Sequence, residues 1–177
     1  MKRRHSIRLK HYDYAQDGAY FVTICTHQRA ALFGDVTDGE MTLNTLGCVA
    51  DDCWWAIPAH FSGVELDAFV VMPNHVHGIV IINRWEIARP NAVEATHASP
   101  LQPEPAHGPK QASLAAIIGS YKSAVTRQTN RIRQRPGAPV WQRNYYEHII
   151  RTDRALNAIC KYILYNPARW ADDEYFV

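Results

Sequence analysis

The sequence predicts an α+β fold, in which helices pack on one face of an antiparallel sheet and a separate helix ends the chain. Two observations predict it. Segments rich in β-branched and aromatic residues alternate with segments of helical spacing, and two predicted strands follow each other across a tight turn. With 177 residues, 47% of them hydrophobic, the chain can bury one sizeable core, so we expect one domain over residues 1–177.

The first predicted elements are a strand and a helix. Tyr20–Thr26 is rich in aromatic and β-branched residues and follows the turn-forming pair Asp17-Gly18, which predicts a buried strand. Residues 44–57 carry apolar side chains at helical spacing. Asn44 is the predicted N-cap of this helix, and Pro58 is its predicted stop.

A hairpin follows and is the clearest element of the pattern. Glu65–Val71 and His75–Ile82 are predicted strands, and Met72–Asn74 between them is typical of a turn. Proline presets its own φ, and asparagine tolerates turn conformations. The two strands are therefore expected to pair in antiparallel orientation.

The stretch from residue 83 to residue 110 differs in character from the rest. It contains five prolines and lacks apolar periodicity, so we expect a flexible, proline-rich insertion there. Helical spacing resumes near Gln111. One face of this helix collects Leu114, Ile117, Ile118, Tyr121 and Val125.

The last elements are a short extended piece around Val140–Trp141 and a final helix. That helix is predicted to begin at Thr152 or Asp153, which are both good caps, and to end at Asn166 because the next residue is proline. The first five elements match most of a split βαβ arrangement, so the predicted sheet is ferredoxin-like. One face would carry helices, and the other would be left for a site.

The apolar runs exclude a membrane-spanning helix. The runs at residues 53–57, 79–82 and 114–118 are far shorter than the roughly 20 residues that a bilayer requires. The basic N-terminus is not followed by an apolar signal-peptide segment, so we expect a cytoplasmic protein.

Basic residues cluster at the N-terminus and after residue 120, although the net charge is only +2. Such clusters suit phosphate backbones, while charge runs are more often plain solvated surface. The candidate DNA-binding residues are Arg3, Arg4, Lys122, Arg127, Arg143 and His148.

His75 and His77 form the first candidate site. Side chains alternate across a strand, so these two imidazoles are expected on the same face of the predicted strand. Neutral imidazoles side by side are a ready pair of metal ligands. The competing interpretation is two ordinary histidines, but two buried polar rings would both need hydrogen-bond partners.

Tyr162 and Asn166 form the second candidate site, four positions apart on the final helix and hence on one face. A phenol oxygen can act as a nucleophile, and an Asn carbonyl is a good ligand for a hard divalent ion. The competing interpretation is structural: Tyr162 would pack against the core, and Asn166 would end the helix. Tyr146 and Tyr165 are weaker candidates, because neither has an amide four positions later.

Several separated motifs together resemble a known family. Residues 72–80 (MPNHVHGIV) resemble the His-hydrophobe-His motif of single-tyrosine HUH transposases. Residues 140–143 (VWQR), 146–151 (YEHIIR) and 162–167 (YILYNP) resemble the downstream signature of the REP-associated tyrosine transposases, and Tyr20–Thr23 fits the same family. The resemblance spans roughly residues 10 to 170 and matches least well in the proline-rich insertion.

The resemblance implies a site and a reaction. His75, His77 and Asn166 would bind Mg²⁺ or Mn²⁺, and Tyr162 would be the catalytic nucleophile of a single-stranded DNA endonuclease and strand transferase. The final helix would then be a catalytic helix. Its substrate would be single-stranded or hairpin DNA at repetitive palindromes, and its product a 5′-phosphotyrosine link. A monomer and a homodimer that exchanges the last helix both remain open.

Two other functions remain open at this point. A non-cleaving hairpin DNA-binding protein would bind without metal and without a covalent adduct. A metal-dependent hydrolase would use His75 and His77 with water and would never trap protein on DNA.

Overall fold

The computed structural model describes residues 17–83 and 113–176, which contain six strands, four α-helices and two 3₁₀ segments. The strands are β1 (Gly18–Cys25), β2 (Gly34–Thr37), β3 (Glu40–Leu43), β4 (Val64–Met72), β5 (His75–Ile82) and β6 (Tyr146–Ile150). The helices are α1 (Thr45–Trp55), α2 (Ile57–His60), α3 (Leu114–Ile132) and α4 (Asp153–Leu164), and the 3₁₀ segments are His27–Arg29 and Pro167–Asp172.

Four strands form one antiparallel sheet in the order β4-β5-β1-β6. Apart from the separate β2–β3 hairpin, the elements follow the order strand, helix, two strands, helix, strand that is typical of a ferredoxin-like fold. The predicted α+β fold class is confirmed. The pairing of β4 with β5 is interrupted by a bulge between Leu66 and Phe69.

The two faces of the sheet carry different side chains, because side chains alternate along each strand. Tyr20, Val22 and Ile24 of β1 are fully buried in the core shared with α1 and α3. Phe21 lies on the opposite face, in a smaller apolar cluster with Ile163 of α4. α4 therefore packs on the face that α1 and α3 leave free.

An aromatic stack fills the core beneath α1. The Trp54 ring lies parallel to that of Phe69, with centroids 4.5 Å apart, and meets Tyr121 edge-on at 5.3 Å. Gly78 of β5 lies directly under Trp54, and a Cβ at this glycine would come within 2.3 Å of the indole. The indole can lie this close to the sheet only because position 78 has no side chain.

Three strands, β2, β3 and β6, differ from the sequence prediction. The extended piece at Val140–Trp141 makes only an isolated bridge, between Trp141 and Thr26, and the fourth strand of the sheet is β6. The β2–β3 hairpin was also missed. Its turn residues Asp38 and Gly39 both have positive φ, as the Asp-Gly pair of a type I′ turn requires.

Helix ends were predicted to within a few residues. Asn44 caps α1 by accepting hydrogen bonds from Leu46 and Gly47, but α1 ends at Trp55, and Pro58 lies in the first turn of α2 rather than acting as the stop. α3 begins at Leu114, after a Ser113 cap. α4 ends at Leu164, so Asn166 lies beyond it, at the start of the next 3₁₀ segment.

Some predictions fall on other parts of the chain. Arg3, Arg4 and nearly all of the predicted insertion at residues 83–110 lie outside the described residues. No helix in residues 17–83 or 113–176 has both the length and the apolar surface needed to cross a bilayer.

Candidate active site

The turn that carries the histidines is tied to two neighbouring segments. The Pro73 carbonyl accepts hydrogen bonds from the backbone N–H groups of Leu32 (2.8 Å) and Phe33 (3.1 Å). The Asn74 carbonyl accepts from the backbone N–H of Thr26 at 2.8 Å and from its hydroxyl at 2.9 Å. These bonds hold the start of β5 in one position.

His75 and His77 lie side by side on the sheet face that α4 covers. Their Nε2 atoms are 2.9 Å apart, and the two residues are 0% and 1% exposed. The Nδ1 atoms of both rings also have hydrogen-bond partners, which fix the ring orientations. His75 Nδ1 lies 2.9 Å from Asn74 Oδ1, and His77 Nδ1 lies 2.8 Å from Thr23 Oγ1. The amide oxygen can only accept, so Nδ1 of a neutral His75 carries the proton and its Nε2, which faces His77 Nε2, is the unprotonated nitrogen.

Burial keeps both imidazoles neutral. It lowers the pKa of His75 to about 4, against the opposing effect of the Asp173 carboxylate and with a smaller contribution from Arg29. The pKa of His77 is also well below its ordinary value, because of burial first and the neighbouring His75 second. Neutral imidazole is the form that binds a metal.

Tyr162 is brought to this pair by α4. Thr152 caps the helix by accepting a hydrogen bond from Ala155 N–H at 3.1 Å, and the fully buried Ile163 holds the helix against the sheet. The Tyr162 hydroxyl lies 3.3 Å from His77 Nε2. The Tyr162 and Phe21 rings are nearly perpendicular, with centroids 6.1 Å apart, and the Tyr162 side chain is 40% exposed. A molecule in solvent can therefore reach this phenol.

The Tyr162 phenol is protonated at neutral pH. Burial, followed by the carboxylates of Asp173 and Glu174, raises the pKa of this hydroxyl to about 12, while a hydrogen bond from Asn166 opposes the shift. A nearby cation would counter the effect of the two carboxylates.

Asp173 joins the histidines, although the sequence analysis does not predict it. One ligand atom from each of His75, His77 and Asp173 lies within 4.8 Å of the others, so the group could hold a metal ion. Asp173 follows the 3₁₀ segment Pro167–Asp172, which folds back over the sheet face. No spacing rule connects this aspartate to the His pair, so only the three-dimensional fold identifies it.

Asn166 lies at the same site and contacts Asp173. Its Nδ2 donates a hydrogen bond to Asp173 Oδ2 at 2.9 Å, which positions the carboxylate. Its Oδ1 is buried without a hydrogen-bond partner, and the residue is 2% exposed. A buried acceptor of this kind is suited to a cation or a water molecule.

The C-terminal residues close over the histidines. The Tyr175 ring lies 4.6 Å from that of His75 between centroids, and the Trp170 ring lies 5.9 Å from it. The Tyr175 carbonyl accepts a hydrogen bond from Asn74 Nδ2 at 2.7 Å, and Arg29 lies over the Tyr175 ring and donates to the Glu174 carbonyl. These contacts account for the nearly complete burial of the two imidazoles.

A cleft of about 1030 Å³ runs along the solvent side of α4 and the following segment. Tyr162, Asn166 and Asp173 line it. Its lining also contains the cations Lys161 and Arg169 and the carboxylates Asp172 and Glu174. The volume is large enough for a small ligand or part of a polymer chain.

The remaining predicted DNA-binding residues lie in two places. Lys122, Arg127 and Arg143 line one groove between α3 and residues 136–143. His148 is exposed on β6, opposite Phe21 in the strand register, and so lies on the sheet face that carries the His pair.

Comparisons with known proteins identify a sequence relative and similar solved structures. An uncharacterized protein of Haemophilus influenzae is 41% identical over an alignment of 177 residues. The alignment covers 98% of this chain and 93% of the relative. The structure of a REP-associated tyrosine transposase bound to a REP hairpin superposes with a TM-score of 0.57 at 17% identity, covering 100% of this chain and 76% of that chain. At this identity the likeness shows a shared fold. No protein-family profile matches the chain.

Proposed function

The chain belongs to the family of the Haemophilus influenzae protein, and from its fold and site geometry we propose that it is a metal-dependent, single-tyrosine endonuclease and strand transferase of single-stranded DNA. One observation carries the proposal. The Tyr162 hydroxyl lies 3.3 Å from Nε2 of His77, whose imidazole is itself paired with that of His75. A potential nucleophile thus lies beside a potential metal site.

The residues at this site fit a divalent ion. The Nε2 separation of 2.9 Å suits two ligands of one ion, and Asp173 adds a carboxylate. The buried, unpartnered Oδ1 of Asn166 supplies a further acceptor. We propose that His75, His77 and Asp173 hold Mg²⁺ or Mn²⁺, with Asn166 as an additional ligand or as the residue that positions Asp173. When bound, the ion would withdraw charge from a phosphate oxygen.

The chain's own residues supply the nucleophile and its orientation. The Tyr162 hydroxyl would lose its proton to solvent, and its oxygen would attack the phosphorus to form a 5′-phosphotyrosine bond. The bond from phosphorus to the 3′ oxygen breaks in the same step, and that oxygen takes up a proton from solvent. Attack by another 3′-hydroxyl would reverse the step and join two strands. The edge-on contact with Phe21 keeps the Tyr162 ring turned toward His77. A phosphoester bond to Tyr162 replaces the phosphoester bond to the 3′ oxygen, so the reaction exchanges one phosphoester for another.

We propose DNA hairpins of repetitive palindromes as the substrate. The structurally similar transposase was solved with a REP hairpin, which supports this choice. Phosphates would be bound by the cations of the chain, for which we propose Arg3, Arg4, Lys122, Arg127 and Arg143, with His148 beside the site.

The test is a covalent-adduct assay. Purified protein is incubated with a hairpin that carries single-stranded flanks and a radioactive or fluorescent label at its 3′ end, in Mg²⁺ or Mn²⁺. The 3′-labelled fragment is the one that stays joined to the protein through the 5′-phosphotyrosine, and protein-linked DNA is resolved on a denaturing gel. Tyr162→Phe should abolish the adduct and leave hairpin affinity within about threefold, because the change removes one exposed hydroxyl. Tyr165→Phe is the matched control, since Tyr165 is 63% exposed just beyond the same helix, and it should form adduct at the wild-type level.

The outcomes separate the competing functions. Adduct that persists in Tyr162→Phe rules out this nucleophile. Hairpin binding without any adduct, in the presence or absence of metal, indicates a non-cleaving DNA-binding protein. Cleavage without trapped protein indicates a hydrolase that uses water.

A further inference from the structure

Tyr146 is an exposed aromatic residue beside the candidate active site that the proposed reaction does not use. It begins β6, an outer strand of the sheet, and its side chain is 39% exposed. Its neighbours Tyr145 and Ile149 pack against the core shared with α1 and α3. Because side chains alternate along a strand, Tyr146 and His148 lie on the opposite face, which is the face that carries the imidazoles.

The register of β6 against β1 gives the same assignment. Tyr146 is paired with Thr23, whose hydroxyl lies 2.8 Å from His77 Nδ1. His148 is paired with Phe21, whose ring stacks on that of His77 with centroids 5.4 Å apart. Residues directly opposite each other in an antiparallel pair have neighbouring side chains on one face. Tyr146 is therefore separated from the imidazoles by the width of one strand, β1.

Phe21 links Tyr146 to the candidate nucleophile. Its buried ring meets both tyrosine rings at steep angles, with centroids 6.3 Å from Tyr146 and 6.1 Å from Tyr162. The two tyrosine rings are thus joined through one intervening ring. We call Phe21, Tyr146 and His148 the aromatic strip.

The aromatic strip is distinct from the cleft that Tyr162 lines. That cleft contains the carboxylates of Asp172, Asp173 and Glu174, which repel a DNA phosphate wherever no cation offsets them. The residues of the aromatic strip lie outside the lining of the cleft. A DNA strand with one phosphate at Tyr162 can therefore continue over the aromatic strip without entering the cleft.

An exposed tyrosine in this position is suited to stack on a nucleobase. Every base has a π face that can stack on an aromatic side chain. The Tyr146 ring is already held by its strand and by the contact with Phe21, so little conformational freedom is lost when a base stacks on it. Tyrosines that serve packing alone are buried in this protein, as Tyr20 and Tyr121 are.

We propose that Tyr146 is a specificity-determining residue, whose ring stacks on the base of a nucleotide beside the phosphate held at Tyr162. The proposal rests on the proposed function for the identity of the strand. Stacking accepts any base, but its strength rises with the size of the ring system, so a purine is favoured at this one position. The role differs from the phosphate contacts proposed for the cations of the chain, because Tyr146 contacts a base.

The first experiment locates the stacked base. Full-length Tyr162→Phe protein, which lacks the proposed nucleophile, is bound to hairpins with the fluorescent base 2-aminopurine at one position of a single-stranded flank at a time, with and without Mg²⁺. Stacking on an aromatic ring quenches this fluorescence. We expect quenching at a position next to the phosphate at which the wild-type protein forms its adduct. Tyr146→Leu in the same background should abolish the quenching.

The second experiment measures the affinity that the ring contributes. Anisotropy titrations give the Kd of hairpins with a purine, a pyrimidine or an abasic nucleotide at the quenched position. Tyr146→Leu should weaken binding of the purine hairpin by about tenfold or more, because one stacked base is lost. The same change should alter the Kd of the abasic hairpin by less than about twofold, because no base is left to stack. Tyr146→Phe should keep the wild-type affinity within about threefold, since it retains the ring.

Trp55→Leu is the matched control. Trp55 is also an exposed aromatic residue, at 52%, but it ends α1 and contacts Phe69, on the helical side of the sheet. Its replacement should change the Kd by less than about twofold. Thermal melts establish which variants are folded. If Tyr146→Leu lowers the melting temperature, Tyr146→Thr takes its place, because threonine suits a strand.

Each outcome decides the proposal. The absence of a quenched position, quenching that persists without the Tyr146 ring, or an equal loss of affinity in Trp55→Leu overturns it. An equal loss in Tyr146→Phe assigns the contact to the hydroxyl and overturns stacking. Equal affinities for the purine and pyrimidine hairpins remove the purine preference.

The same measurements separate this proposal from the proposed function. Quenching that depends on Tyr146, in a protein whose wild-type form never yields adduct, removes the strand-transfer proposal alone. Normal adduct without any quenched position removes the stacking proposal alone. A protein that binds none of the hairpins overturns both proposals.

Discussion

Asp173 is the residue on which the composition of the candidate metal site depends. It lies on the segment beyond α4, yet it is within 4.8 Å of the ligand atoms of both histidines, and Asn166 holds its carboxylate. Two imidazoles and a carboxylate form a mixed nitrogen and oxygen donor set. Such a set is expected to bind Mn²⁺ more tightly than Mg²⁺, because imidazole is a better ligand for the transition metal.

Replacing Asp173 tests this assignment at a single position. Asp173→Asn should weaken Mn²⁺ binding by about tenfold or more, because a charged ligand is lost while the shape is kept. The measurement is isothermal titration of Mn²⁺ into metal-free protein. Asp172→Asn is the matched control, since Asp172 is exposed and is absent from the group that could hold a metal, and it should bind as the wild type does. Equal affinities for the two variants would remove Asp173 from the site.

The positions of the paired imidazoles could be predicted from local pattern alone. Strand alternation placed His75 and His77 on one face, and β5 spans the residues predicted for it. Helical spacing likewise placed Tyr162 and Asn166 about one turn apart, although Asn166 lies past the helix end. The catalytic and metal-binding roles remain proposals. Asp173 could not be predicted, because its approach depends on how the chain folds back after α4.

At the scale of elements, β5 and α1 fit together only because Gly78 has no side chain. The Trp54 ring occupies the space where a Cβ would stand and is itself enclosed by Phe69 and Tyr121. A ring held on both sides cannot move aside at low cost. Position 78 thus sets the spacing between α1 and the strand that carries both histidines.

Gly78→Ala should therefore destabilise the protein by about 1–3 kcal/mol, through overpacking of the core. Gly119→Ala is the matched control within α3, where a Cβ would meet nothing within 4 Å. It should stabilise the protein by up to about 1 kcal/mol, because alanine loses less backbone entropy in a helix. Urea unfolding monitored by circular dichroism gives both free energies of unfolding. A loss of stability in Gly119→Ala, or none in Gly78→Ala, would contradict this account of the packing.

Elements with a strong local signal were predicted, and those governed by tertiary contacts were not. The β4–β5 hairpin and the caps of α1 and α4 have sequence patterns that operate over a few residues. β6 lacks such a pattern: Glu147 and Ile150 are its buried positions, so burial does not follow apolar alternation. The Asp38-Gly39 pair is a local signal for the turn between β2 and β3, because Asp-Gly favours a two-residue hairpin turn.

At the scale of the whole molecule, the C-terminal segment decides access to the His pair. Tyr175 covers His75, and its backbone is fastened to Asn74 and its ring to Arg29. The phenol of Tyr162 remains open to solvent while the imidazoles are closed. Substrate or metal that enters from the Tyr175 side must first displace this segment.

Deleting residues 174–177 should expose the imidazoles. We expect diethylpyrocarbonate to modify the peptide containing His75 and His77 at least about threefold faster than in the full-length protein, because modification requires an accessible ring nitrogen. Mass spectrometry of metal-free protein resolves this peptide from the other histidines. Phe176→Ala is the control, since the Phe176 ring is 51% exposed and packs on Trp170 while the Tyr175 ring stays over His75, and its modification rate should match that of the wild type. An unchanged rate after deletion would show that the segment does not limit access.

The bulge between Leu66 and Phe69 has a consequence for how two copies of the chain can meet. β4 is an outer strand of the sheet, and outer strands are templates for pairing with another chain. A bulge bends the strand and breaks the regular sequence of hydrogen-bonding groups along it. A second copy that docked along β4 would leave some of those hydrogen-bonding groups without partners. The β4 edge of the sheet is therefore unfavourable for pairing with another copy.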